Sequence, residues 1–135
     1  MADIPCVGAV VFDDHGRLLL VKRANPPAQG RWSLPGGRQE SNETALEGVV
    51  REVREETGIR VEVTREVGTI HREAPSGDTY VIRDFLCSIS GDAGVVAGDD
   101  AAEAAFFDVT DLGELATSDG LVETLRGWGL LPPID

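Results

Sequence analysis

Cysteine is nearly absent from this sequence of 135 residues: only Cys6 and Cys87 occur, each inside an apolar, strand-like run. There is no CxxC pair and no Cys/His cluster, which excludes the common structural zinc arrangements. Buried free thiols in a cytosolic protein are the expected state. His15 and His71 are the two histidines, and neither has a second histidine at metal-ligand spacing. Basic residues are scarce as well. Twelve Lys and Arg stand against twenty-four Asp and Glu, a net charge of −12. Such a chain lacks the basic footprint of a general nucleic-acid binder, so no nucleic-acid partner is expected. No apolar run approaches the roughly 18–20 residues that span a bilayer, so no membrane partner is expected either. The opening MADIPCVGAVVF carries no basic segment ahead of its apolar stretch. It reads as a first β-strand rather than a secretory signal, and a cytoplasmic location follows as the expectation.

What is present is enough for a core. Hydrophobic residues make up 41% and charged residues 27%, the balance of one globular domain over residues 1–135. The acid excess keeps such a chain in solution. It would suit phosphate chemistry only if cations stand between the acids and the substrate.

Along the chain, Ile4–Phe12 and Arg17–Arg23 are β-rich and flank the turn cluster Asp13-Asp14-His15-Gly16, a pattern that predicts a hairpin. Ala24–Gly37 holds three prolines and three glycines and predicts a loop. Glu43–Thr57 predicts a helix: Leu46, Val49, Val50, Val53 and Thr57 recur on one face of a 3.6-residue period. Ser41 or Asn42 can cap its start and Gly58 its end. Gly48, a weak helix former, allows close packing there. Arg60–Arg72 and Thr79–Ile89 are β-rich on either side of the hairpin connection Glu73–Asp78. An acidic Gly/Ala-rich loop, Gly91–Ala102, leads to a short strand at Glu103–Asp108 and a last helix at Ser118–Trp128 packed by its tryptophan. Strands on both sides of one long helix, with a second helix at the end, predict an α/β fold with a mixed sheet between helical layers.

The helix carries the chemistry. Glu52, Glu55 and Glu56 stand at i, i+3 and i+4, within about 60° on one side and about 40° on the other of Glu52. Three like charges on one face repel unless a cation neutralises them, and hard oxygen-seeking ions such as Mg²⁺ or Mn²⁺ would do so. Arg51, beside Glu52 and four residues before Glu55, can orient a carboxylate. Glu43 opens the helix near its positive end and reaches the same polar network. Taken alone, such a cluster also describes an ordinary solvated helix face.

The full pattern is longer: Gly37, five residues, Glu43, seven residues, then Arg51-Glu52-Val53-Arg54-Glu55-Glu56-Thr57-Gly58-Ile59. It resembles the Nudix box at every fixed position. The resemblance extends to the Ile4–Arg23 segment, to Arg31-Trp32-Ser33-Leu34-Pro35 ahead of Gly36-Gly37, and to Glu103-Ala104-Ala105-Phe106-Phe107. It implies a Nudix-type α/β/α sandwich with a central mixed sheet, and a hydrolase that cuts a diphosphate linkage with Mg²⁺ or Mn²⁺. By position, Glu52 and Glu56 resemble metal ligands, Glu55 a further ligand or a base, the Gly36 carbonyl a main-chain ligand, and Arg51 with Glu43 the orienting pair. In that chemistry metal screens the diphosphate, acidifies a bound water and stabilises the leaving oxygen. Family members place the base in the box or on a later loop, where Glu103 is the candidate; a solvated strand-edge residue is its other reading.

Substrate-binding candidates follow from position. Arg23 ends the second strand close to the box and can pair with a phosphate. Trp32 either stacks on a base or packs under the Gly-rich loop. Pro75, sixteen residues beyond Ile59, resembles a feature of ADP-ribose-hydrolysing members, although a turn proline explains it equally. The resemblance therefore implies a small-molecule nucleotide substrate, ADP-ribose or a related nucleotide sugar first. The alternative is a MutT-like triphosphate pyrophosphohydrolase, oxidised dNTPs included, for which Asp99 and Asp100 could read a base edge. A non-catalytic nucleotide-sensing module is a third reading, and a homodimer is an assembly common among similar proteins.

Overall fold

Apolar residues occupy both faces of the first two strands, and that decides where they go. In β1 (Asp3–Val11), Val7, Ala9 and Val11 face one core and Val10 faces another. In β2 (Leu18–Arg23), Leu19 faces the first core while Leu18 and Leu20 face the second. Strands apolar on both faces belong in the middle of a covered layer. The computed structural model describes residues 2–24, 29–92, 94 and 101–131, with backbone only at Ala101 and Ala102.

The expected β1–β2 hairpin does not form. The turn is there, with the Asp13 carboxylate accepting from the His15 and Arg17 amides at 2.9 Å each. Beyond a single bridge between Phe12 and Leu18, however, the strands part into different sheets. β1 runs parallel to β6 (Thr79–Ile89) along its whole length and antiparallel to β4 (Gly36–Arg38). β5 (Val61–Glu73) pairs antiparallel with β6 as expected, bulging between Val63 and Arg65 and between Glu66 and Gly68. This four-stranded mixed sheet has the order β4-β1-β6-β5. β2 lies between β3 (Trp32–Ser33) and β7 (Ala101–Phe107) in an antiparallel three-stranded sheet. Each central strand thereby gains two partners for its backbone, which a hairpin alone would not supply.

Four further expectations are corrected. The loop Ala24–Gly37 contains β3 and the start of β4, strands too short to show a period. The helix α1 (Ala45–Thr57) begins later than expected, capped by Thr44 rather than Ser41 or Asn42. Thr44 and Glu47 form a reciprocal capping box, at 3.1 Å and 2.9 Å, which satisfies two end amides and outcompetes the earlier caps. Leu46, expected on the buried stripe, is 50% exposed. Val49 and Val53 carry the packing, and Gly58 closes the helix at φ 76° as expected. The last helix, α2 (Leu121–Gly127), is shorter than expected and follows a 3₁₀ segment, Val109–Glu114.

Helix α1 covers the first core with Val49 and Val53 against Val7, Ala9, Phe85 and Ile59. Leu121 and Leu125 of α2 cover the second with Val10, Leu20 and Leu112. The result is the α/β arrangement expected, sheet between helical layers. Cys6 and Cys87 are buried free thiols, as expected. No helix among the described residues is long and apolar enough to cross a membrane.

Candidate active site

Arg51 organises the glutamates. Its guanidinium donates two hydrogen bonds to Glu43, at 2.6 Å and 2.9 Å, a fork-on-fork pair. It also donates to Glu52 at 2.8 Å, to Glu55 at 3.1 Å and to the main-chain oxygen of Arg38 at 3.1 Å. This pairing holds the Glu43 carboxyl below the usual carboxylate range and the Arg51 guanidinium above its ordinary value. Glu43 is the residue just before the cap, so its other contact is the Glu40 amide at 2.8 Å. Glycine makes room for these acids. A Cβ at Gly48 would meet a Glu43 oxygen at 3.0 Å, and one at Gly37 would meet the Glu52 carboxyl at 2.8 Å.

Glu56 differs from its neighbours. It is 6% exposed, and one of its oxygens accepts from the Gly36 amide at 2.8 Å, which ties α1 to β4. Burial pushes its carboxyl up to about 8; the Gly36 amide opposes the rise, Glu52 adds to it and Arg23 opposes it. A buried acid beside a second acid is stable only with a proton or a cation between them. That is the test a hard divalent ion must pass, and Glu56, Glu52 and the adjoining main chain of Gly36 fit it. Among the described residues no three such groups already converge on one point, since Arg51 draws Glu52 and Glu55 toward itself.

Glu52 and Glu56 open onto a cavity of about 920 Å³, whose lining includes Gly36, Gly37, Arg23, Arg31, Arg38 and Arg72. A second groove of about 880 Å³, between α1 and β5 past Leu46, Val50 and Val63, holds Glu55 but neither Glu52 nor Glu56.

The profile of the NUDIX domain matches residues 3–125. The chain belongs to the Nudix family. An ADP-ribose pyrophosphatase of Methanocaldococcus jannaschii is 41% identical over 108 residues, covering 78% of this chain and 63% of that protein. A MutT-like protein of Streptomyces ambofaciens is 45% identical over 85 residues, covering 63% of this chain and 51% of that one. The chain thus spans about half to two-thirds of the length of these curated relatives. Among solved structures, the MutT protein of Methanosarcina mazei Go1 superposes with a TM-score of 0.82 at 25% identity, covering 95% of this chain and 94% of that one.

Within this Nudix fold the sequence candidates separate. Gly36, Arg51, Glu52 and Glu56 line one cavity with Arg23, while Glu43 and Glu55 join them through Arg51 without lining it. Trp32 packs edge-on against Phe107, ring centres 4.8 Å apart, outside the cavity lining. Glu103 is exposed on β7, 3.5 Å from Lys22. Pro75 sits exposed at the β5–β6 turn, and only the flanking Arg72, Glu73 and Tyr80 reach the cavity. Asp99 and Asp100 lie outside the described residues. Sequence reasoning passes over Asp84, Tyr80 and Asp119, all in the lining. The one available signal is the acid at position 84 inside the otherwise apolar core phase of Thr79–Ile89, hidden by the adjacent Arg83.

Proposed function

We propose that this Nudix protein hydrolyses the diphosphate linkage of a nucleoside diphosphate derivative, ADP-ribose or a related nucleotide sugar, with Mg²⁺ or Mn²⁺. The observation that carries this reading is the buried Glu56 carboxyl, anchored on the Gly36 amide beside Glu52 at the wall of the large cavity. Glu52, Glu56 and the Gly36 carbonyl would hold the ion, with Glu55 as a further ligand directly or through water. When bound, such an ion would supply charge screening of the diphosphate and a more acidic water.

The chain's own groups do the rest. Glu43 fixes the Arg51 guanidinium, and Arg51 fixes Glu52 and Glu55 in turn. Water adds to phosphorus, the P–O–P bond breaks, and a carboxylate takes the water's proton; Glu55 is the candidate within the box, held by Arg51 on the neighbouring groove rather than in the cavity lining. Glu103 is the weaker base, because it is exposed and lies beside Lys22. Arg23 pairs with a phosphate at the cavity wall. Pro75 acts only by shaping the hairpin that carries Glu73 and Tyr80.

The likeness to an ADP-ribose pyrophosphatase and a cavity of about 920 Å³, ample for two ribose units, support the nucleotide-sugar substrate. The MutT-like relative supports a triphosphate pyrophosphohydrolase as the second reading. A hydrolysis screen with Mg²⁺ and Mn²⁺ over ADP-ribose, nucleotide sugars, dinucleoside polyphosphates and triphosphates decides between them. The expected result is a higher kcat/KM for ADP-ribose or a nucleotide sugar. A preference for triphosphates promotes the second reading, and binding with no hydrolysis of any class leaves a nucleotide-sensing module.

A further inference from the structure

Asp84 is the most deeply buried acid among the described residues, 2% exposed, and its carboxylate makes no hydrogen bond within them. Its one noted electrostatic partner is Arg72, whose guanidinium donates to the main-chain oxygen of Asp119. A nearly buried carboxylate whose only countercharge is Arg72 is costly, and its oxygens are left to water or to a ligand entering the cavity. Burial raises this carboxyl to about 7, in keeping with that cost.

The sheet register says where Asp84 points. Gly36 stands opposite Gly8, and Gly8 opposite Asp84, in one row across β4, β1 and β6. A Cβ at Gly8 would lie 2.0 Å from an Asp84 oxygen, so the carboxylate occupies the space that this glycine leaves. Two strand spacings, about 10 Å, separate Asp84 from Gly36, which anchors Glu56. That is the scale of the reach from a nucleotide's phosphate to the edge of its base. Tyr80 and Ile82 alternate with Asp84 on the same face of β6 and line the same cavity. Tyr80 and Ile82 set an aromatic and an apolar surface beside the Asp84 acceptor, a combination that suits a base.

We propose that Asp84 is the specificity-determining residue of this cavity: it accepts a hydrogen bond from the amino group of a nucleobase, so that adenine, guanine and cytosine nucleotides are taken over uracil nucleotides. This rests on the nucleotide reading above, whichever linkage is cut. Uracil offers a ring N–H flanked by two carbonyl oxygens, which face a carboxylate unfavourably. A site built around such a bond rejects the wrong edge strongly, because the buried group then stays unpaired.

The test is calorimetric binding of AMP, GMP, CMP and UMP at pH 8.5, where the Asp84 carboxyl is ionised, to the full chain, wild type and Asp84→Asn. The wild type should bind at least one amino-bearing nucleotide tenfold or more tighter than UMP. Asn presents an amide N–H as well as an oxygen and tolerates carbonyl edges, so that ratio should fall tenfold or more. If Asp84→Asn does not fold, Gly8→Ala displaces the carboxylate from the other side and should lower the ratio in the same direction. Equal wild-type binding of UMP, no binding of any of the four, or a ratio unchanged in the variant overturns the proposal. Hydrolysis plays no part in this readout, so a wrong choice of cleaved linkage leaves its outcome intact.

Discussion

Two regions of the molecule treat acid in opposite ways. On helix α1 and just before it, Glu43, Glu52 and Glu55 are all bonded to a single Arg51, and Glu56 to a backbone amide. At the β6 side, Asp84 is buried with no hydrogen bond among the described residues. The first region satisfies its acids within the chain; the second leaves its acid without a protein hydrogen-bond donor among the described residues. The difference teaches that the sequence motif marks where the protein satisfies its own groups, and that an acid left unsatisfied can lie outside it.

The largest effect should come from the pre-built region. Glu52→Gln and Glu56→Gln keep shape and remove charge, so each should cut kcat by about a thousandfold, equivalent to about 4 kcal/mol of transition-state stabilisation, in a Mg²⁺ assay. Circular dichroism should show the fold unchanged. Near wild-type turnover in either variant would remove that glutamate from the ion's ligands.

Arg51→Lys should cost less, about 10–100-fold, since it keeps the charge but loses the fork that binds Glu43 and reaches Glu52 and Glu55. The loss should fall on kcat and on metal affinity together. An Arg51→Lys enzyme indistinguishable from wild type would mean that the network of Arg51 with Glu43, Glu52 and Glu55 is surface decoration.

The smallest effect sharpens the other side of the comparison. Asp84 has its carboxyl raised from 3.8 to about 7 by burial, so the folded state holds its proton more tightly than the unfolded chain. Its contribution to stability is full below pH 3.8 and is lost as pH rises through about 7. Between pH 5 and pH 8, metal-free wild type should therefore lose about 2–3 kcal/mol more unfolding free energy than Asp84→Asn, measured by urea denaturation. Glu56 titrates in the same direction in both proteins and cancels in the difference. Parallel pH profiles would mean that Asp84 is satisfied after all.

The same contrast explains what the sequence disclosed. The α1 glutamates were legible because helical spacing alone puts i, i+3 and i+4 on one face, and because Arg51 and Glu43 stand at fixed distances from them. Strand existence was legible from β-rich runs, but partner choice was not: β1 and β2 look like a hairpin until both of their faces prove buried and each takes partners elsewhere. Thr44 and Glu47 escaped notice beside the equally good caps Ser41 and Asn42. Asp84 depends on a register between strands more than seventy residues apart in the chain, and on a glycine in the facing position, neither of which leaves a local pattern. Trp32 and Glu103, chosen by position in the family pattern, are not among the cavity's lining residues: Trp32 packs on Phe107 and Glu103 stands exposed beside Lys22.

The central claim is that Glu52 and Glu56 form a cation site whose mutual repulsion the ion relieves. It is tested most directly by the stability of wild type and of the Glu52→Gln, Glu56→Gln double variant with and without Mg²⁺. At one hundred times its dissociation constant, Mg²⁺ should stabilise the wild type by about 2.7 kcal/mol and the double variant by almost nothing. An equal gain in both proteins, or none in the wild type, would contradict the account.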